Sequence, residues 1–136
     1  MDLMRSISIA ASGLRAESGR MRVISENLAN ADSTARTAGG DPYRRKIVSF
    51  DSQLDRDLDA QTVTLGRIKR DTSAFRLEYE PGNPIADAKG YVKMPNVNPL
   101  VEQMDMREAQ HAYEANLNVI GAARRMIART LDILRG

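Results

Sequence analysis

Cysteine is absent from the 136 residues, which removes disulfides, thiolate nucleophiles and cysteine zinc clusters from consideration. Aromatic residues are scarce, at 4% of the chain, and their placement says more than their number. Tyr43, Phe50, Phe75, Tyr79 and Tyr91 lie in the middle and only Tyr113 in a terminal segment, so an aromatic-anchored core is expected in the central stretch. No apolar run approaches the roughly 18 residues that a membrane-crossing helix needs. The N-terminus also lacks a basic region, an apolar core and a small-residue cleavage site in succession, so a Sec-type signal peptide is not expected. Neither sign of charge dominates, the formal net charge being +2. Lysine is confined to Lys46, Lys69, Lys89 and Lys93, and arginine supplies the remaining basic side chains. Its planar fork suits interface ion pairs as well as a solvated surface.

The residues that carry chemistry elsewhere form no catalytic, cofactor-binding or metal-binding constellation here. His111 is the sole histidine, and beside Glu108 and Ala112 it reads as a packing or interface residue. No serine or threonine stands in a nucleophile-elbow or phosphate-loop context. Asp55, Asp57 and Asp59 alternate as a calcium loop begins, but Ala60 stands where glycine is required and Gly66 where a bidentate glutamate is required. The basic runs Arg44-Arg45-Lys46 and Arg67-Ile68-Lys69-Arg70 lack the stronger charge and interleaved aromatics of a nucleic-acid surface. They fit pairing with acidic positions of a neighbouring chain. Neither a nucleic acid nor a small-molecule substrate is expected as a partner.

What the chain does contain is a helical rhythm at both ends. Leu3, Ile7, Ala10, Leu14, Glu17, Met21, Ile24, Leu28 and Ala31 follow at alternating spacings of four and three, interrupted only by Glu17. Met106, Gln110, Tyr113, Leu117, Ile120, Arg124, Ile127, Leu131 and Leu134 keep nearly the same rhythm. Such a period, held for several heptads, marks helices that wrap on other helices. The first helix is predicted over residues 3 to about 31, roughly 43 Å long, stopped by the backbone-competing run Asn30-Ala31-Asp32-Ser33-Thr34. Gly13 and Gly19 each cost it about 1 kcal/mol relative to alanine. The second helix begins with Asn98 as N-cap and Pro99 as its first residue and runs to about Leu134. Its acids, Glu102, Asp105, Glu108 and Glu114, precede its bases, Arg124, Arg125, Arg129 and Arg135, an order that complements the helix dipole.

Between the helices the pattern changes. Gly39-Gly40-Asp41-Pro42 signals a turn, and Ile47-Val48-Ser49-Phe50 reads as a strand. Residues 51–60 are ambiguous. Thr62–Leu65 and Phe75–Tyr79 alternate as half-exposed strands do. Glu80–Pro84 is a turn and Gly90–Pro95 a short extended piece. The expected fold is therefore mainly α with a small β/loop insertion. The long terminal helices pack as an antiparallel coiled-coil pair and the centre forms a β-like module. The segments are 1–34, the N-terminal core helix; 35–96, the central module; and 97–136, the C-terminal core helix.

A two-helix hairpin leaves second apolar lines uncovered: Ile9, Ala16 and Val23 on the first helix, and Ala115, Val119, Ala122, Met126 and Ile133 on the second. Exposed apolar stripes mark interaction surfaces. Burying a large side chain returns about 1.5–3 kcal/mol, while ordering each residue costs about 1–2 kcal/mol. The terminal segments are accordingly expected to fluctuate in the free chain and to become fully helical on assembly. The residues alone admit an assembly subunit or a soluble coiled-coil adaptor binding a helical partner; an enzyme is the least supported.

Ala11-Ser12-Gly13-Leu14, Val23-Ile24 and Asn27-Leu28-Ala29-Asn30-Ala31 resemble the N-terminal motif of the bacterial flagellar axial proteins of rod, hook and hook-associated segments. Pro42-Tyr43-Arg44-Arg45-Lys46, Phe75–Pro84, Gly90-Tyr91-Val92, Pro95–Glu102 with Asn96, Asn98 and Pro99, and Glu108–Asn116 with Tyr113 and Glu114 resemble a proximal-rod member of that family. An inserted Asp41 and a charged Arg107 are departures. The resemblance implies a non-enzymatic structural subunit of the flagellar basal body, stacked helically into the rod that transmits torque and surrounds the export channel. It implies a place in the periplasmic space and export through the flagellar type III apparatus without a cleaved signal. The implied partners are other copies of the chain, the rod proteins FlgB, FlgF, FlgG and FliE, and that export apparatus. The assembly seam expected from the helical rhythm comprises Leu3, Ile7, Leu14, Met21, Ile24, Leu28, Tyr113, Leu117, Ile120, Ile127, Leu131 and Leu134. Arg124, Arg125 and Arg129 are the candidate inter-subunit charges.

Overall fold

The computed structural model describes residues 2–136, and two helices account for most of its regular structure. Helix α1 spans Leu3–Ala29 and helix α2 spans Pro99–Arg135. Asp2 starts α1: its Oδ1 accepts the Met4 N–H at 2.9 Å and its carbonyl accepts the Ser6 N–H at 3.1 Å. The helix stops where Asn30 folds back, its Nδ2 donating to the Glu26 carbonyl at 2.8 Å while Ser33 Oγ donates to the Asn30 carbonyl at 3.0 Å. Side chains that compete for backbone partners end helices in this way. Asn98 caps α2 as the sequence indicated, its Oδ1 accepting the Leu100 N–H at 3.0 Å.

Six short strands lie between the helices: β1 (Lys46–Ile47), β2 (Phe50–Asp55), β3 (Ala60–Leu65), β4 (Lys69–Arg70), β5 (Arg76–Tyr79) and β6 (Tyr91–Met94). They form three separate two-stranded antiparallel pairs, β1 with β4, β2 with β3 and β5 with β6. The strand expected over 47–50 is therefore two strands, interrupted at Val48 and Ser49. The ambiguous stretch resolves into β2 and a turn in which Asp55 Oδ1 accepts the Asp57 and Leu58 N–H groups at 3.0 and 3.3 Å.

The chain divides into two compact units. One comprises Met1–Met21, Ser49–Arg67 and Arg107–Gly136; the other comprises Arg22–Val48 and Ile68–Met106. In the first, the β2–β3 hairpin lies on α1. Ser12 Oγ accepts the Val63 N–H at 3.1 Å, and a Cβ placed on Gly19 would stand 2.8 Å from Leu65 Cδ2. Along another line of α1, a Cβ on Gly13 would stand 2.7 Å from Asn116 Nδ2 of α2. At both glycines, weak helix formers, a neighbouring side chain comes within reach of an added Cβ.

The second unit holds the β1–β4 and β5–β6 pairs with the end of α1 and the start of α2. Tyr79 and Tyr91 face each other in the β5–β6 register with ring centroids 5.2 Å apart.

Two expectations about burial are corrected. The central aromatics do not anchor a core: Phe50, Tyr79 and Tyr91 are exposed, and Tyr43 and Phe75 are half-buried. The buried apolar residues are small or flexible instead, among them Ala10, Val23, Val92, Met94, Val97 and Ala109. The line Ile9, Ala16 and Val23 is not left open either. Ala16 and Val23 are buried, with only Ile9 exposed, and the β2–β3 hairpin rests on the Ser12–Gly19 face that carries Ala16.

Candidate functional site

The most densely bonded cluster is built on Asn27, which is 1% exposed. Its Nδ2 donates to the Lys46 carbonyl at 2.9 Å and to Glu102 Oε2 at 3.1 Å. Its Oδ1 accepts the Lys46 N–H at 2.9 Å and the Tyr43 hydroxyl at 2.8 Å. Both amide hydrogens and both acceptor sites are thereby used. One side chain at the end of α1 reads both backbone groups of Lys46 as a neighbouring strand would, fixing β1 to the helix.

Glu102, also 1% exposed, is the other centre. Its Oε1 receives a charge-assisted hydrogen bond from Arg45 Nε, and the same guanidinium reaches Asp105 at 3.5 Å and Asp71 at 3.6 Å. A buried carboxylate is tolerated when both oxygens are paired in this way. Burial works against the Arg45 charge, yet the hydrogen bond and charge of Glu102, with Asp71 and Asp105, raise its pKa overall. The Tyr43 hydroxyl is pushed up to about 12 by burial first and then by the negative charges of Glu26 and Glu102.

Asn96 closes the cluster from the other side. Its Oδ1 accepts the Arg45 N–H at 2.7 Å, and its Nδ2 donates to the Asp71 and Ser73 carbonyls at 3.1 and 3.2 Å. Arg44 Nη1 donates to the same two carbonyls at 2.9 and 3.0 Å, with its guanidinium carbon 4.1 Å from the Phe75 ring centroid. Lys46 Nζ pairs with Glu26. Hydrogen bonds from the Ser73 backbone and side chain are the main cause of the lowered Asp71 pKa.

The motif residues Asn27, Tyr43, Arg44, Arg45, Asn96 and Asn98 are thus internal ties, and Pro42 is buried beside them. Leu28, Asn30 and Pro99 are half-buried and Ala29 is exposed. In the other unit, Tyr113 is half-buried and Glu114 exposed, and Asn116 Nδ2 donates to the Ala112 carbonyl at 3.1 Å.

The seam residues divide by helix. On α1, Ile24 is buried and Leu3, Ile7, Leu14, Met21 and Leu28 are half-buried. On α2, Tyr113, Ile120 and Ile127 are half-buried, whereas Leu117, Leu131 and Leu134 are exposed. The covered face of α2 runs through Glu102, Ala109, Asn116 and Ala123, one position away from Gln110, Leu117 and Arg124. The fully buried positions of α2 are therefore small or polar, with Tyr113, Ile120 and Ile127 half-covered beside them. Leu117, Val119, Met126, Leu131, Ile133 and Leu134 face out, up to 79% exposed at Ile133. Arg124, Arg125 and Arg129 are exposed and join no ion pair among the described residues.

Sequence reasoning did not find the roles of Glu17 and Glu102. Glu17 is buried, with Oε2 lacking a hydrogen-bond partner and Arg20 Nη1 at 3.8 Å; Arg20 also reaches Glu108 at 3.5 Å. Burial raises the Glu17 pKa, Arg20 opposes the shift and Glu108 adds to it. Its interruption of the apolar rhythm was the available signal.

Two family models match this chain. One, described as flagella basal body rod protein, matches residues 7–36. The other, described as flagellar basal body rod FlgEFG protein C-terminal, matches residues 88–133. The flagellar basal-body rod protein FlgC of Agrobacterium fabrum is 51% identical over 136 residues, covering 99% of this chain and 98% of the relative. That of Borreliella burgdorferi is 40% identical over 153 residues, with both chains covered in full. That of Bacillus subtilis is 38% identical over 148 residues, covering 98% and 99%.

Proposed function

Because this chain belongs to the FlgC family of flagellar basal-body rod proteins and is a structural subunit of that rod, we propose that it builds the proximal rod by polymerising through its two terminal helices. The observation that carries this reading is the distribution of side chains on α2. Its fully buried positions, Glu102, Ala109 and Ala123, are small or polar, while Leu117, Val119, Met126, Leu131, Ile133 and Leu134 stand exposed in the single chain. A helix that turns its large apolar residues outward is completed by other chains.

In this reading α1 and α2 form an antiparallel coiled-coil pair. The approach of Gly13 to Asn116 and of Arg20 to Glu108 supports that direction, since an advance along α1 meets a retreat along α2. The paired helices line the export channel, and torque passes through interdigitated side chains, each resisting slip by the cost of exposing it. The central strands hold register from outside. The chain performs no catalysis; its work is mechanical. Other copies, FlgB, FlgF, FlgG and FliE are its neighbours. Passage through the type III apparatus, with no cleaved signal, delivers it to the periplasmic space.

The test is cryo-electron microscopy of basal bodies from cells in which this chain is the sole FlgC-family protein. Density for both terminal helices in the wall of the proximal rod is expected. Intact rods lacking the chain would overturn the reading and favour the coiled-coil adaptor.

A further inference from the structure

The β5–β6 pair carries a surface that nothing inside the chain uses. Side chains alternate across a strand, so the register places Leu77, Lys93, Tyr79 and Tyr91 on one face. The opposite face carries Arg76, Glu78, Val92 and Met94, of which Val92 and Met94 are buried. The first face stays open, with Leu77 58%, Tyr79 65% and Tyr91 40% exposed. Both tyrosines lie in the motif stretches Phe75–Pro84 and Gly90-Tyr91-Val92, which the cluster around Asn27 does not absorb.

The connection after β5 holds these rings in place. The Glu80 N–H donates to the Gly90 carbonyl at 2.9 Å, and the Asp87 N–H to the Tyr91 carbonyl at 2.9 Å. Asp87 Oδ1 accepts the Lys89 and Tyr91 N–H groups at 2.8 and 3.0 Å. Asn83 Nδ2 donates to Glu80 Oε2 at 2.8 Å. Gly90 has a φ of +83°, and a Cβ there would stand 3.0 Å from Tyr79 Cε2 and 3.1 Å from Pro81 Cβ. Glycine thus lets the turn close until Tyr79 and Pro81 lie against its backbone. A well-bonded connection therefore fixes two rings that bury little within the chain.

Three properties of the face select its occupant. It is small. Two four-residue strands present about 13 by 10 Å, far below the roughly 800 Å² per partner of a stable contact between folded proteins. It offers no side-chain pocket, since the cavity bordering Tyr91 and Lys93 measures about 20 Å³. Its charges nearly cancel: Glu80 and Asp87 stand against Lys89, and Lys93 pairs with Asp41 at 3.2 Å. Neither a polyanion nor a polycation is favoured by such a rim. A narrow polymer of flat rings fits these limits, and a chain of pyranose sugars is one. The C–H groups on the flat side of a sugar rest on the negative face of an aromatic ring, while the polar rim reaches its hydroxyl groups. An extended peptide would need side-chain pockets or would pair along a strand edge, leaving the ring faces unused.

Resting on the rod-subunit reading, which puts the central strands outside the helices and in the periplasmic space, we propose that Tyr79 and Tyr91 bind a glycan strand of the bacterial cell wall. The rings, 5.2 Å apart at their centroids and inclined at 59°, stack on neighbouring sugars of a twisted strand, with Leu77 and Pro81 extending the apolar floor. So small a contact is short-lived. It holds a delivered chain beside the wall without anchoring an assembled rod that turns.

The chain has four tyrosines, so the ring resonances of a tyrosine-labelled full-length sample are read one by one. Adding a soluble β-1,4-linked N-acetylglucosamine oligomer is expected to shift the Tyr79 and Tyr91 rings and leave Tyr43 and Tyr113 unmoved. Co-sedimentation with protein-free cell-wall sacculi gives a second measurement. Tyr79→Leu and Tyr91→Leu keep apolar volume but remove a ring, and each is expected to weaken sedimentation about tenfold. Tyr79→Phe is expected to leave it unchanged. Binding should persist in roughly 1 M salt, where charges are screened beyond about 3 Å.

The proposal is overturned if the oligomer moves neither ring, or if the leucine variants sediment as the unsubstituted chain does. Release by salt also overturns it, since that marks ionic adsorption through Lys69 and Arg70. Basal-body density with a neighbouring protein seated on Tyr79 and Tyr91 overturns it as well. Absence of the chain from intact rods would instead sink the rod-subunit reading, and the ring shifts, which need no substitution, are read independently of that result.

Discussion

Asn27 is the residue on which most partners depend. Replacing it with alanine leaves the Lys46 N–H and carbonyl, the Tyr43 hydroxyl and one Glu102 oxygen without their partner. Stranded buried polar groups cost more than a hydrogen bond contributes on average, so Asn27→Ala is expected to lower stability by about 2–4 kcal/mol in urea unfolding. Tyr43→Phe removes one of these bonds and is expected to cost about 1 kcal/mol at neutral pH. The folded chain holds the Tyr43 proton more tightly than the unfolded chain. Its contribution is therefore fully present below the ordinary value of 10.0 and is lost as pH rises through about 12. An alkaline stability profile should show a shallower loss across that window in the phenylalanine variant than in the wild type. Glu17 follows the same sign at the acid end. Because burial raises its pKa, its contribution is present below the ordinary value of 4.5 and lost as pH rises through the raised one. Glu17→Gln cannot ionise and is expected to have the higher urea midpoint at neutral pH, with the gap closing below pH 4.5. A gap that persists in acid would show that packing, not ionisation, separates the two.

At the level of elements, the helices were legible in sequence because their signals are local. Asn98 and Pro99 mark the start of α2, and the polar run after Asn27 ends α1. The central strands were legible only in part. Alternation located β5 and the core of β3, but nothing local separates Ile47 from Phe50, since the break at Val48 and Ser49 belongs to two different pairings. The fully buried positions of α2 were not legible for a related reason, although Tyr113, Ile120 and Ile127 of the expected seam are half-buried beside them. Periodicity weights large apolar side chains, whereas this interface places Gly13 against Asn116 and buries Glu102 and Ala109. Asn27 stands 19 residues from Lys46 and 75 from Glu102, so its motif was recognisable while its bonding was not. Close approach at Gly13 gives an element-scale test. Gly13→Leu satisfies helix propensity, worth close to 1 kcal/mol, but its side chain meets Asn116, whose amide would stand 2.7 Å from the added Cβ. Thermal melting should therefore show a lower midpoint for Gly13→Leu despite its better propensity. Gly121→Leu, where the nearest atom to an added Cβ is the flexible Arg125 Nη1 at 3.4 Å, should melt no lower than the wild type.

For the whole molecule, the contrast that matters is between helix ends that are tied and helix ends that are not. The end of α1 and the start of α2 are held by Asn27, Arg45 and Glu102, a cluster with its polar groups paired. At the other extreme, every residue from Ala128 to Gly136 is exposed, so the last turns of α2 have backbone hydrogen bonds and little else. Isolated helical turns are marginal in water, and the large side chains of that segment gain no burial within the chain. In the dilute chain at 37 °C, ellipticity should therefore fall short of the value for the 27 residues of α1 and 37 of α2 combined, and rise on assembly. Hydrogen exchange should locate the deficit. Amides near Asn27 and Glu102 are expected to be protected, those around Leu131–Leu134 to exchange rapidly, with a gradient between them along α2. Uniform protection along α2 in the free chain, lost in a single cooperative transition, would mean that the helix is complete before it meets a partner. The gradient would mean that the clamp nucleates the helices and that contact between chains finishes them. A subunit that ordered its ends only on assembly would keep its apolar surface from forming a rigid target beforehand.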